Sequence, residues 1–224
     1  SLDGYIAPDG MTMEHADDPD HHDWMRLWSQ LQSWVFPQTA FRERFKLGEG
    51  GQTGTDNDLV ERTFARTGAR IMGRRMFDGG ERFWPEEAPF HHPVFVLTHQ
   101  AREPWMRLGT IFTFVNSGGE SGMYKALARA TAAAAGKDVR IAGGGDVVRQ
   151  FLNAGLVDEF TLSIAPIFLG GGVRLFDGID RTKVGLDVAG VIASGSVTHA
   201  TYRCTPVSDT ARLSPAAVGG SADR

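Results

Sequence analysis

The stretch DVRIAGGGDVVRQFLNAGLVDEFTLSIAPIFLGGG, residues 138–172, decides how the chain is read. Asp138 to Ala142 is a short strand, and Gly143-Gly144-Gly145 follows with no side chain to hold a ligand away from the backbone. Asp146 stands where a carboxylate can cap the next helix. Val147, Val148, Phe151 and Leu152 give that helix one apolar face, and Gly155 suits the left-handed residue that ends it. Phe160 to Ile164 then alternates as a half-buried strand does. The unit is strand, glycine turn, helix, strand. Backbone N–H groups and the helix dipole at such a turn favour a phosphate; a tight turn with no ligand fits the same residues. The dinucleotide fingerprint of the doubly wound fold is excluded, because it wants a third glycine where Val148 stands.

Working outward, other segments have the same character. Ala69 to Met72 is a short buried strand that runs into Gly73-Arg74-Arg75-Met76, a turn opening a helix. Paired arginines there can clamp an anion in fork geometry, or be two surface arginines. Val94 to Leu97 is a continuous apolar strand of the kind covered on both faces, with Thr98 and His99 at its polar C-terminal end. Ligands gather at such strand ends in open α/β sheets. Ile111 to Val115 is another strand, and 121–135 is an alanine-rich helix. Asp56 or Asn57 is placed to cap a helix running to about Thr67. Strands at 184–188 and 197–204 close the sheet, and the small, polar residues 206–224 read as a disordered tail. The order predicts a mixed α/β sheet, parallel in the centre with an antiparallel C-terminal edge and helices on its faces. If the glycine turns at 73, 143–145 and 170–172 share one edge, they form a cleft for a phosphate-bearing ligand.

Composition narrows the function. The 224 residues fit one domain, 1–205. A net charge of -4 argues against nucleic-acid binding. Cys204 is the only cysteine, so no internal disulfide and no multi-cysteine zinc site can form. No segment has the apolar length of a membrane span, no secretion signal is evident, and a cytoplasmic protein is expected. The histidines His15, His21 and His22 lie among acids, but at no helical metal-ligand spacing, and a solvated loop is the expectation. Trp24, Leu27, Trp28, Leu31, Trp34 and Val35 form an apolar helical stripe, either core or a homodimer interface.

Taken together, SLDGYIA at 1–7, ARIMGRRMFDGG at 69–80, PVFVLTH at 93–99, the stretch 138–176 and VTHATYRC at 197–204 run in the order of a known family. The chain resembles the dihydrofolate-reductase-like superfamily, most nearly the reductase domain of the riboflavin-pathway deaminase–reductase and its stand-alone bacterial relatives. The resemblance implies a three-layer fold around a mixed eight-stranded sheet, with a mid-sheet strand ahead of Ser1, and against a minimal dihydrofolate reductase it makes residues 11–54 or so an insertion, expected to be a lid or a dimer contact. It implies an NADPH-dependent oxidoreductase, like dihydrofolate reductase or 5-amino-6-(5-phosphoribosylamino)uracil reductase, acting on a small heterocycle. A protein of the same fold that binds NADPH without turnover is the alternative.

By the same match, Gly73, Arg74, Arg75 and Met76 line the pyrophosphate and 2′-phosphate, and Leu97, Thr98 and His99 flank the adenosine. Gly143, Gly144, Gly145 and Asp146 meet the pyrophosphate, and Ile6 and Ala7 lie beside the nicotinamide. Hydride addition to a C=N bond also needs a proton. Asp58 sits near the family's acid position, and Asp3 is expected at the substrate end. For Asp58, a first-turn helix charge is an equal reading.

Overall fold

The strand Thr67–Gly73, buried at every position but the half-buried Gly68, is the one around which the protein is built. The structure is a computed structural model, and it describes residues 1–11, 23–116 and 120–206. In chain order its elements are β1 (Tyr5–Ala7), α1 (Asp23–Leu31), α2 (Thr39–Phe45), α3 (Thr55–Arg66), β2 (Thr67–Gly73), α4 (Arg74–Glu81), β3 (Val94–Thr98), β4 (Trp105–Arg107) and β5 (Thr110–Asn116). They continue with α5 (Glu120–Ala133), β6 (Asp138–Gly143), α6 (Gly145–Asn153), β7 (Glu159–Ile164), β8 (Val173–Arg174), β9 (Val184–Ala193) and β10 (Thr198–Pro206).

The central sheet has the order β4-β5-β3-β2-β6. Its inner pairs are parallel, and only β4 runs antiparallel, against β5. Parallel strands flanked by crossover helices are buried on both faces, which is why β3 is apolar from Val94 to Leu97 without alternation and why β2, Arg70 apart, is apolar from Ala69 to Met72. Ala69, Ile71, Phe95, Leu97 and Val115 pack under Met123, Ala126 and Ala130 of α5 and Val147 and Phe151 of α6. On the other face Met72, Val94, Val96 and Phe112 meet Phe77 of α4 and Phe90. Phe77 stands edge-on to Phe112 at 5.3 Å and to Phe114 at 5.0 Å. Fully burying one such ring stabilises the fold by about 1.5–3 kcal/mol.

The mixed α/β class, with a mostly parallel centre and antiparallel strands at the end, agrees with the sequence. The connection between the two parts differs. The antiparallel strands form a separate sheet, β7-β10-β9, and among the described residues β1 pairs with β8 alone. β6 and β7 each end their sheets, so eight strands stand as five and three rather than as one surface. One side of β7 is taken by an unbroken ladder from Thr198↔Ile164 to Arg203↔Glu159, and among the described residues no strand bridges from its other side to β6.

The aromatic stripe packs within the chain. Trp24 and Leu31 are buried, and rings run from Trp28 to Phe36, Phe41 and Phe45. His15, His21, His22 and the tail from 207 onward lie outside the described residues. Among those described, no group of His, Cys, Asp or Glu could hold a metal ion, and no helix is long and apolar enough to cross a membrane.

Candidate functional site

The C-terminal ends of β2 and β6 are neighbours, with Met72 in register with Gly143. This brings Gly73 and Gly143–Gly145 to one edge. Gly144 has a φ of +86° and flanks the start of α6, a backbone conformation that side-chain-bearing residues rarely adopt. A Cβ on it would lie 3.8 Å from the Gly73 backbone. Met76 lies over Gly143, whose Cβ would come within 2.8 Å of the Met76 sulfur.

The expectation that Asp146 caps α6 is corrected. Gly144 occupies the cap position and no side chain bonds the first turn. The Asp146 carboxylate is drawn away by two arginines, Arg75 at 2.6 Å and Arg149. The other end of the helix is as expected: Gly155 is left-handed at φ +66°, and Leu156 N–H donates to the Phe151 carbonyl at 3.0 Å.

The two arginines of the first turn are held by acids. Arg74 donates to Asp78 at 2.5 Å, and Arg75, with an 88% exposed side chain, reaches Asp146. Exposed pairs of this kind contribute only about 0–1 kcal/mol, so an incoming phosphate can replace the carboxylate. Leu97 pairs with Gly73 across the sheet and is buried, as is Thr98, whose hydroxyl accepts from Gln100 N–H at 3.1 Å. His99 is exposed beside them.

The N-terminal residues join the same edge through β8. Tyr5 pairs with Arg174 and Ala7 with Val173. A Cβ on Gly145 would lie 3.2 Å from the end of Ile6 and 3.4 Å from Val173. The third glycine turn, 170–172, follows the same path: Gly172 is so close to the Ala7 carbonyl that a Cβ there would lie 2.0 Å from the oxygen. Thus Ile6, Gly73, Met76 and Gly143–Gly145 meet at one edge, and Leu97 lies beside Gly73 on the neighbouring strand.

The two acids singled out as proton donors are placed differently. Asp3 works as a clamp. Its carboxylate accepts the backbone N–H of Gly170 at 2.8 Å and of Leu169 at 3.1 Å, and the Ser1 hydroxyl. The Ser1 hydrogen bond, followed by those backbone donors, draws the Asp3 carboxyl down to about 2. Asp58 is exposed on the first turn of α3. Neither Asp56 nor Asn57 caps that helix, since Gly54 holds the position. Both are buried with other partners, Asn57 accepting the Ala40 N–H at 2.8 Å.

Asp56 belongs to a polar node that sequence reasoning missed. One of its oxygens lies 3.1 Å from His199 Nε2, and the other accepts the hydroxyls of Ser194 at 2.9 Å and Ser196 at 3.0 Å. His199 Nδ1 lies 2.9 Å from Ser163 Oγ, its partner across the β7–β10 ladder. Trp34 closes over the imidazole with centroids 4.8 Å apart. The result is a continuous carboxylate–imidazole–hydroxyl line that can hold or pass a proton. The available signal was a histidine at an inward position of the alternating strand VTHATYRC.

Residues 1–200 match the RibD C-terminal domain family. Two proteins of Bacillus subtilis (strain 168) share shorter stretches. YyaP is 54% identical over 41 residues, 18% of this chain and 22% of its own length. YwjB is 32% identical over 75 residues, 33% of this chain and 40% of its own length. The matched stretches thus span less than half of either relative. Among solved structures, a protein of Shewanella sp. PV-4 whose name places it in riboflavin biosynthesis superposes with a TM-score of 0.59 at 22% identity, covering 91% of this chain and 94% of its own. That likeness is one of fold.

Proposed function

The chain belongs to the RibD C-terminal domain family, and from that premise we propose that it is an NADPH-dependent reductase delivering hydride to a small heterocycle, a ribosylaminopyrimidine of the riboflavin pathway or a pterin-like ring. The observation that carries this reading is the meeting of Gly73, Gly143–Gly145 and Ile6 at one sheet edge, where α6 begins with no side-chain cap. Bare backbone and a helix N-terminus suit a pyrophosphate. Arg75, loosely held by Asp146, suits a 2′-phosphate, and Ile6 supplies an apolar wall. NADPH, when bound, supplies the hydride.

The chain's own share is to orient both reactants and to handle the accompanying proton. We assign the proton to Asp56, the buried carboxylate of the α3 turn, with His199 and Ser163 behind it as positioning groups. Asp58 and Asp3 are the competing assignments from sequence.

Titration with NADPH against NADH, followed by nucleotide fluorescence and thermal unfolding together, tests the cofactor. Saturation at ~100 times the dissociation constant adds about 2.7 kcal/mol of stability. Preference for NADPH that Arg75→Ala removes is the expected result; indifference to both nucleotides overturns the reading. With cofactor bound, Asp56→Asn should lose turnover while Asp58→Asn keeps it; the reverse ranking returns the role to Asp58.

A second reading, a protein that binds NADPH without turnover, is favoured by the exposure of Asp58 and the tight engagement of Asp3. Tight NADPH binding with no oxidation by any candidate heterocycle would support it.

A further inference from the structure

Arg70 is the anomaly of the central sheet. It sits in the middle of β2 with only 8% of its surface exposed. Its Nε and Nη2 atoms are buried, with no hydrogen-bond partner. Buried charges are normally paired, because losing water without gaining a partner is costly.

Its neighbours are also cationic. Strand register places Arg140 of β6 directly beside Arg70, so both side chains leave the same face of the sheet. Like charges directly opposite one another across a sheet repel. A third guanidinium, that of Arg44 from α2, comes in over the Phe64 ring at 4.8 Å, and Arg70 lies 5.8 Å from the same ring. Arg44 also donates to the Phe90 carbonyl at 3.4 Å, and Arg70 lies 5.2 Å from the Phe90 ring. His92 completes the group, with a buried Nε2 that has no partner. Among the described residues, none of these three arginines makes an ion pair with a carboxylate. Burial first, then the charges of Arg140 and Arg44, brings the Arg70 guanidinium down to about 9, so it still carries its charge at neutral pH. Burial first, then Arg70 and Arg44, drives His92 to about 3, leaving a neutral imidazole with an N–H to donate.

The rings of Phe64 and Phe90 offer their faces to the guanidinium planes, but they leave the edge N–H groups without an acceptor. Those edges are the part of arginine that matches a planar or tetrahedral oxoanion. Arg140 stands on the last strand of its sheet with part of its surface exposed, although burial around its guanidinium lowers its pKa, so the cluster meets solvent along that edge. Arg70 precedes Gly73 by three residues, about 10 Å along a strand, which separates the cluster from the glycine edge.

We propose that Arg44, Arg70, Arg140 and His92 form a second anion site, which takes the phosphate or carboxylate group of a small molecule. The bound oxoanion supplies the acceptors that Arg70 and His92 lack and offsets the repulsion between Arg70 and Arg140. The site is independent of the cofactor reading and does not need it.

Calorimetric titration of the whole protein with inorganic phosphate tests this, in a buffer free of other oxoanions and with sodium chloride at matched ionic strength as the blank. Malonate serves as the carboxylate arm. Wild type should bind one equivalent of at least one probe saturably. Arg140→Ala, on the exposed edge and not needed for the core, should weaken that binding at least tenfold, and Arg70→Met should abolish it. If Arg70→Met does not fold, Arg140→Ala and Arg44→Ala carry the test. Phosphate heats should persist with NADPH present. Heats that vanish with NADPH and are unchanged in Arg140→Ala would move the phosphate to the glycine edge and overturn the site. Absence of saturable binding by both probes overturns it as well.

Discussion

Asp56 and Arg70 are buried to the same depth, each 8% exposed, and the protein treats them in opposite ways. Asp56 has a hydrogen-bond donor for each oxygen and more: His199, Ser194 and Ser196. Arg70 has two aromatic faces and two other arginines, and its buried nitrogens have no acceptor. The difference teaches what burial of charge means. A charge matched by the chain's own groups costs the fold little. A charge left unmatched is a cost the fold carries, and it is repaid only by something from outside.

The comparison can be broken first at Asp56. Asp56→Ala strips the imidazole and two hydroxyls of their shared acceptor, and should cost about 3 kcal/mol in chemical denaturation. Arg70→Met should move the other way in anion-free buffer, stabilising the protein by about 2 kcal/mol, because an apolar side chain of similar length replaces an uncompensated charge. Equal losses in the two variants would erase the distinction. A smaller effect sharpens it: Ser163→Ala removes one neutral bond to His199 and should cost about 1 kcal/mol in the same assay.

Asp3 provides the surface version of a matched charge. Its folded-state carboxyl lies near 2, below the ordinary aspartate value of about 3.9. The stabilisation is therefore complete above about pH 4 and is lost as pH falls through about 2. Unfolding curves of wild type between pH 5 and 2 should fall more steeply than those of Asp3→Asn, and parallel curves would remove the clamp from the account.

Local pattern made much of this fold legible. The unit from Asp138 to Ile164, with its helix, its left-handed Gly155 and its two strands, is legible because periodicity and turn chemistry are short-range. The same edge residues, Gly73 and Gly143–Gly145, were legible as glycines at strand ends. What failed was the assignment of polar side chains near helix starts. Asp56, Asn57 and Asp146 all occupy sequence positions suited to capping, yet each is claimed by a partner far along the chain: Ser196 is 140 residues from Asp56, and Arg75 is 71 from Asp146. Distances of that kind leave no trace in local spacing. Arg70 did leave one. A charged residue inside the buried run Ala69-Arg70-Ile71-Met72 contradicts the pattern around it, and such conflicts between levels mark sites that serve something other than stability.

The Asp3 clamp also sets an order of events. Its bonds to Leu169 and Gly170 join residues 166 and 167 apart, so they close a loop containing most of the described chain. Closing so long a loop is rewarded only after the intervening elements have condensed, and contacts of that separation form slowly. The parallel sheet and α6 can assemble from nearer neighbours. Ile6, carried by the same N-terminal segment, therefore reaches Gly145 late, and the glycine edge is among the last surfaces to be completed as the protein folds.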